Sequence, residues 1–331
     1  MTDRQPIPAT RESLEPIRGR LAEVAKRVDS RVVGQHDLIE KLILGLCSGG
    51  HVLLEGLPGL AKTTIVRLLS QAIGLPFGRV QMTPDVMPGD LLGSAFLKPD
   101  FSGFVFRPGP VFTTILLVDE LNRAPAKVQS ALLEAMQESQ VTVGGDTHVL
   151  PKAFWLVATQ NPIDQEGTFP LAESQKDRFA FRLHVGYPDE AAEARLLRNP
   201  EEPLATSLAA VGITADEIVA VRDSLAHVHC ADVLSDWVAA VVQATREPAR
   251  IGLADQVLWG VSPRGARMWI RSARVRAWWH GRGYVVPEDL HELAEASLSH
   301  RIVLDWSVRD STGHGVSKPL VARILDKIGM P

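Results

Sequence analysis

Apolar residues first recur at helical spacing. After a polar lead over residues 1–12, Leu14, Ile17, Leu21, Val24 and Val28 predict one amphipathic helix. Leu38, Ile39, Leu42, Ile43 and Leu46 predict a second, closed by Gly49 and Gly50. The period then changes. Val52, Leu53 and Leu54 form a short apolar run, and four more follow at Phe77–Val80, Ile115–Val118, Phe154–Ala158 and Phe181–Val185. Each is bounded by polar or turn residues, and helical patterns lie between several of them. Strands alternating with helices predict an α/β fold, a parallel sheet covered on both faces. From Thr214 onward only helical periods are visible, at about 214–228, 235–247, 263–279, 287–300 and 318–328. The change of pattern places a domain boundary near residue 200, within Asn199 to Leu204 where two prolines interrupt the chain. Residues 1–200 form the sheet domain on this reading, and 201–331 an all-helical one.

Two stretches interrupt the alternation. Gln81 to Phe112 is rich in Pro and Gly and predicts an insertion with a hairpin around Phe101-Ser102-Gly103-Phe104. Gln140 to Leu150 predicts another hairpin, turning at Gly144-Gly145-Asp146.

Composition narrows the class. At 331 residues, with 45% hydrophobic and 22% charged residues, the chain can bury a core in each of two domains. No apolar run is long enough to span a bilayer, and the first 31 residues lack the apolar core of a secretory signal. A net charge of −4 gives no overall attraction to nucleic acid. Cys47 and Cys230 are in no metal-ligand spacing, so the expected setting is the cytoplasm with reduced thiols.

The chemistry centres on His51 to Thr64. An apolar run enters a turn containing Gly56, Pro58 and Gly59, then a helix opening Ala61-Lys62-Thr63-Thr64. Such a turn exposes successive backbone N–H groups, and the helix adds the positive end of its dipole, which suits a polyphosphate. Lys62 supplies a point charge for the outer phosphates and Thr63 a hydroxyl for Mg²⁺. The general phosphate-loop pattern has Gly where Ala61 stands, so the match is near, and an ordinary glycine turn is the alternative.

Asp119 and Glu120 follow the run at 115–118. Beside a phosphate turn, the first carboxylate can hold Mg²⁺ and the second polarise the attacking water; otherwise the two acids open the next helix. Asn161, kept extended by Pro162, can orient water from the next strand end, or simply form a turn. Ser262-Pro263 reads as a helix start, where Arg264 opposes the dipole unless an anion lies nearby. Arg267, Arg271 and Arg274 continue its face, a solvated or subunit-facing stripe, with Ala266, Ile270, Ala273 and Ala277 on the other. Arg178 could complete a neighbouring subunit's site, or pair with Asp177 on an exposed turn.

Together these residues resemble the MoxR family of AAA+ ATPases from end to end: VVGQ at 32–35, GLPGLAKT at 56–63, LLVDELNRA at 116–124, LLEAMQESQVT at 132–142, ATQNP at 158–162, EGTFPLAESQKDRF at 166–179 and VSPRG at 261–265. Alanine at position 61 is common in that family. The resemblance implies a P-loop NTPase core followed by a helical AAA lid, the two insertions being the helix-2 and pre-sensor-1 hairpins. It implies ATP binding and hydrolysis, ADP being the product, at subunit interfaces of a homo-oligomeric ring, usually a hexamer.

Carried over, Gly56, Pro58, Gly59, Leu60, Ala61, Lys62, Thr63 and Thr64 hold the nucleotide, with Thr63 and Asp119 at Mg²⁺. Glu120 completes the Walker B pair, Asn161 is sensor 1, Arg264 sensor 2 and Arg178 the arginine finger, while Val33, Gly34 and Gln35 lie near the adenine. The implied role is chaperone-like remodelling or maturation of client proteins, often beside a von Willebrand factor A-domain partner. A DNA motor is the alternative from related rings, but the hairpin tip Gly144 to His148 has no Lys or Arg to track a strand. A slowly hydrolysing, nucleotide-regulated assembly platform is the other. A guanine-nucleotide switch is not supported, because no Asn-Lys-x-Asp segment occurs.

Overall fold

The computed structural model describes residues 11–32, 34–162, 167–198, 208–252, 257–304 and 317–331. Val33 and the boundary expected within Asn199 to Leu204 lie outside them. Helices α1 (Arg11–Asp29) and α2 (His36–Ser48) form where the apolar spacing predicts. Gly49 ends α2 in the left-handed conformation, at φ 73°. There follow β1 (Val52–Glu55), α3 (Lys62–Ile73) and β2 (Phe77–Gln81).

The first insertion holds α4 (Pro88–Leu92) and the hairpin β3 (Gly93–Leu97) and β4 (Phe104–Pro108). Next come β5 (Ile115–Asp119), α5 (Ala126–Glu138) and the second hairpin, β6 (Gln140–Val143) with β7 (Asp146–Val149). The core ends with β8 (Trp155–Gln160), α6 (Glu173–Lys176), β9 (Phe181–His184) and α7 (Glu190–Arg198).

The remainder is mostly helical: α8 (Ala215–Ser224), α9 (Asp232–Arg246), α10 (Pro263–Trp279), α11 (Pro287–Leu298) and α12 (Ser317–Ile328). One expectation is corrected here. Two short strands, β10 (Val257–Trp259) and β11 (Val303–Leu304), pair antiparallel within this region. Runs of three and two residues are too short to show alternation.

The central sheet is parallel throughout, in the order β2-β5-β8-β1-β9. The chain leaves β1 toward β2 on one side and returns only at the end to flank it with β9. In such sheets ligands settle at the carboxyl ends of the strands, where the order changes direction.

Strand alternation sorts the core. Leu53, Leu116, Val118, Leu156 and Ala158 face a cluster containing Val128, Leu132 and Leu133 of α5. Val52, Leu54, Leu117, Trp155 and Val157 face the opposite cluster, which continues through α1, α2 and α3 into Trp269, Leu290 and Leu320 of the helical region. Each such fully buried aliphatic side chain contributes roughly 1.5–3 kcal/mol. The sheet is therefore a stiff floor, and the strand ends above it hold their positions. The two hairpins pack on each other, with the His148 ring stacked 3.7 Å from that of Phe106. No helix among the described residues is long and apolar enough to cross a membrane.

Candidate functional site

At the carboxyl ends of β1, β5 and β8 lies a cavity of about 410 Å³. Pro58 through Thr64 line one wall, and Asp119, Glu120, Thr159, Gln160 and Asn161 the other. Lys62, the adjacent pair Asp119 and Glu120, and Asn161, from three segments widely separated in sequence, thus meet in one cleft.

The turn takes the shape its residues permit. Gly56 presses on the residue just past β9: a Cβ there would lie 2.5 Å from the Val185 carbonyl oxygen. Gly59 has φ +85°, and Ala61, just before α3, holds the left-handed conformation at φ 56°. For a residue with a side chain that conformation costs roughly 1–2 kcal/mol. Lys62 donates from Nζ to the carbonyls of Gly56 and of Leu57, the latter at 2.7 Å. Burial pulls its pKa down, opposed by the negative charges of Asp119, Glu120 and Glu55.

Asp119 is the hub. Its carboxylate is 4% exposed and accepts from Thr63 Oγ1 at 2.9 Å, Arg79 Nε at 2.7 Å and Thr159 Oγ1 at 3.2 Å. Glu120 lines the same cavity but is far more open, with its side chain 38% exposed and Arg123 at 3.1 Å. Its backbone is left-handed, at φ 56°, and its N–H donates to Thr159 Oγ1 at 2.9 Å. Non-glycine residues in that region cluster where structure over-determines them, often at functional sites.

Thr159 therefore fixes both acids, since its hydroxyl donates to one and accepts from the backbone of the other. Neither Thr159 nor Arg79 was among the residues chosen from sequence. Inside ATQNP, Thr159 carries no motif signal of its own, and Arg79 reads as an ordinary polar position within a strand. Asn122 adds a support, donating from Nδ2 to the Asn161 carbonyl at 3.2 Å.

The donor set suits a hard divalent cation, because Thr63 Oγ1 and Asp119 Oδ1 place a hydroxyl and a carboxylate oxygen side by side.

Not all the expected residues share this cavity. Gly34 and Gln35 line a neighbouring cavity of about 620 Å³, closed by Leu38, His184, His291 and Leu325.

Arg264 lies elsewhere, on a third cavity of about 630 Å³ that it shares with Arg222, Arg267, Arg271 and Arg274. Ile270 lines that cavity too, instead of facing away from the arginines. Arg271 is not merely solvated, because it donates to the Ser48 carbonyl at 2.6 Å and the Arg222 carbonyl at 3.1 Å. Arg178 donates to the Leu133 carbonyl at 3.0 Å. The alternative Asp177–Arg178 pair is not made among the described residues; Asp177 is held by Arg301 at 2.9 Å.

Comparison with known proteins identifies the family and the fold. Residues 51–181 match the ATPase family associated with various cellular activities (AAA), and residues 253–319 the AAA lid domain. Over 306 residues the chain is 40% identical to Chaperone MoxR1 of Mycobacterium tuberculosis, covering 91% of this chain and 79% of that one. It is 40% identical over 298 residues to the uncharacterized protein YeaC of Bacillus subtilis, covering 89% and 90%. A crystal structure of a candidate ATPase from Cytophaga hutchinsonii superposes with a TM-score of 0.86 at 39% identity, covering 97% of both chains.

Proposed function

The chain belongs to the MoxR family of AAA+ ATPases, and on that premise we propose that it binds ATP with Mg²⁺, hydrolyses it at the interfaces of a ring of identical subunits, and uses the cycle for chaperone-like remodelling of client proteins. Residues 1–200 serve as the ATPase core and 201–331 as the lid. The observation that carries the reading is the convergence of Lys62, Thr63, Asp119, Glu120 and Asn161 on one cavity at the strand ends.

Each group has a part that its position supports. Lys62 exchanges the Gly56 and Leu57 carbonyls for the outer phosphates. Thr63 and Asp119 would hold Mg²⁺, whose charge offsets that of the phosphates when bound. Glu120, exposed beside the buried Asp119, polarises the attacking water, and Asn161 orients it. Gly34 and Gln35, in the cavity they line, are assigned to the nucleoside. Arg178 and Arg264, which lie outside the phosphate cavity of their own chain, supply cationic charge to a neighbour's. We take the setting to be the cytoplasm, with a von Willebrand factor A-domain protein as the expected partner.

Glu120→Gln tests the catalytic assignment. It keeps the shape of the side chain and removes the base, so ATP affinity should stay within about twofold while turnover falls about 10³-fold, within the range for losing a general base. Near-normal hydrolysis in this variant would remove Glu120 from the role.

A further inference from the structure

The segment that carries Arg178 is clamped by the helical region. Arg301 donates from Nε to the Asp177 carboxylate at 2.9 Å. Its remaining nitrogens donate to the carbonyls of Asp177 at 3.0 Å, Phe179 at 2.6 Å, Ala180 at 3.3 Å and Ser297. The Arg301 side chain is 1% exposed, so these contacts are made out of water. His300 adds a second grip, its Nε2 lying 3.0 Å from the Phe179 carbonyl.

The same carboxylate reaches the helix that carries Arg264. Ser262 Oγ lies 2.9 Å from both Asp177 oxygens and also accepts from the Gly265 N–H at 3.0 Å, capping α10. The first turn of α10 is pressed onto Arg301, because a Cβ on Gly265 would lie 2.5 Å from its Cδ. One joint therefore holds the residue before Arg178 and the cap two residues before Arg264. Arg264 itself is exposed and makes no hydrogen bond or ion pair among the described residues.

A buried ion pair adds little stability compared with an apolar contact of the same volume; its distinctive effect is to fix geometry. We propose that Asp177, Arg301 and Ser262 are positioning residues that set Arg178 and Arg264 as one rigid pair, so that the core and helical regions present both arginines together to an adjacent copy's phosphates. This rests on the reading that a neighbouring subunit completes the cavity. It adds that the two arginines are delivered as a unit, and that the joint acts on the neighbour's site and not on its own.

Subunit mixing tests it. Asp177→Asn preserves the shape of the joint and removes the charge that anchors Arg301; Arg301→Lys serves as the second variant should the first not fold. Each should bind a fluorescent ATP analogue within twofold of the parent, yet lose at least tenfold in turnover as an assembled ring. Adding Lys62→Ala subunits, which cannot turn over ATP but keep both arginines and the joint, should restore activity to the Asp177→Asn sites. The control is Arg178→Ala mixed with the same donor.

If the donor rescues Arg178→Ala but not Asp177→Asn or Arg301→Lys, the joint acts within its own subunit and the proposal falls while the shared-site reading stands. If the donor does not rescue Arg178→Ala, the shared-site reading itself fails, and the proposal with it. Parental turnover in both joint variants would also overturn it.

Discussion

The phosphate cavity and the arginine-lined face of α10 treat charge in opposite ways. In the cavity every charged group meets a counterpart from its own chain: Lys62 rests on carbonyls, Asp119 accepts from Thr63, Arg79 and Thr159, and Glu120 faces Arg123. On the other face five arginines surround a cavity to which Asp223 contributes the sole lining carboxylate. Burial and the neighbouring Arg271 pull the Arg222 pKa down to about 10, against the pull of Asp223, and Arg274 Nε is buried without a hydrogen-bond partner among the described residues. Concentrated like charge is unfavourable unless an anion is supplied. The first region balances its charges within one chain, whereas the second gathers cationic charge around a single carboxylate, and the proposed function assigns that charge to a neighbour's phosphates.

Arg178 lines neither cavity, yet the proposed function groups it with Arg264, so Arg178→Ala is the sharpest test of whether the cationic side serves a neighbour. If the arginine acts on a neighbour, turnover should fall by about 10³-fold or more, in the range for removing an arginine finger, with nucleotide affinity unchanged. Comparing kcat with a fluorescence-measured Kd checks it; parallel losses in both would place Arg178 at its own chain's nucleotide.

Acidification probes two buried histidines that hold the core together. His51 ties together the amino ends of β1 and β8: its Nδ1 accepts from the Leu156 N–H at 2.9 Å, and its Nε2 lies 3.1 Å from the Met136 carbonyl. His300 holds the Phe179 carbonyl, one residue after Arg178. Burial is the first cause in both, lowering His51 to about 4 and His300 well below its ordinary value. Because the unfolded chain binds the proton first, stability is full above about pH 6.5 and is lost as pH falls through 4. His51 alone should account for about 3 kcal/mol of that loss. Denaturant unfolding at stepped pH measures it, and a flat profile between pH 7 and 4 would contradict it.

Thr159→Val sharpens the cavity side. It removes the hydroxyl that serves both acids and leaves the Glu120 N–H without its acceptor, costing about 1–3 kcal/mol in stability. Turnover should fall about tenfold with KM nearly unchanged, while subunit association stays as in the parent.

The smallest effect is expected at Ala61→Gly. Relief of the left-handed strain, roughly 1–2 kcal/mol, is partly offset by the backbone freedom glycine loses on folding. A gain of about 0.5 kcal/mol in unfolding free energy, with ATP affinity within twofold, is the expected result.

Much of this arrangement was legible in sequence because it depends on local rules. Helix α10 spans the predicted 263–279, since Ser262 and Pro263 mark its start unambiguously. The strand ends could be placed because apolar runs alternate with helices, and residues just past them had to line the crevice. Thr159, Arg79 and Arg301 were not legible, because their importance lies in contacts across 40 residues for the first two and 124 for the third. No spacing rule encodes such contacts. The separation of Arg264 from the phosphate cavity was equally hidden, since helix grammar shows that an anion belongs near it but not whose.

The central claim, that one chain's cavity is finished by its neighbour, is tested most directly by ATP turnover per chain across a dilution series, with assembly state followed by sedimentation. Turnover should rise with the assembled fraction and collapse where the chain sediments as a monomer, while nucleotide affinity stays constant throughout. Undiminished turnover in the monomeric range would contradict the account.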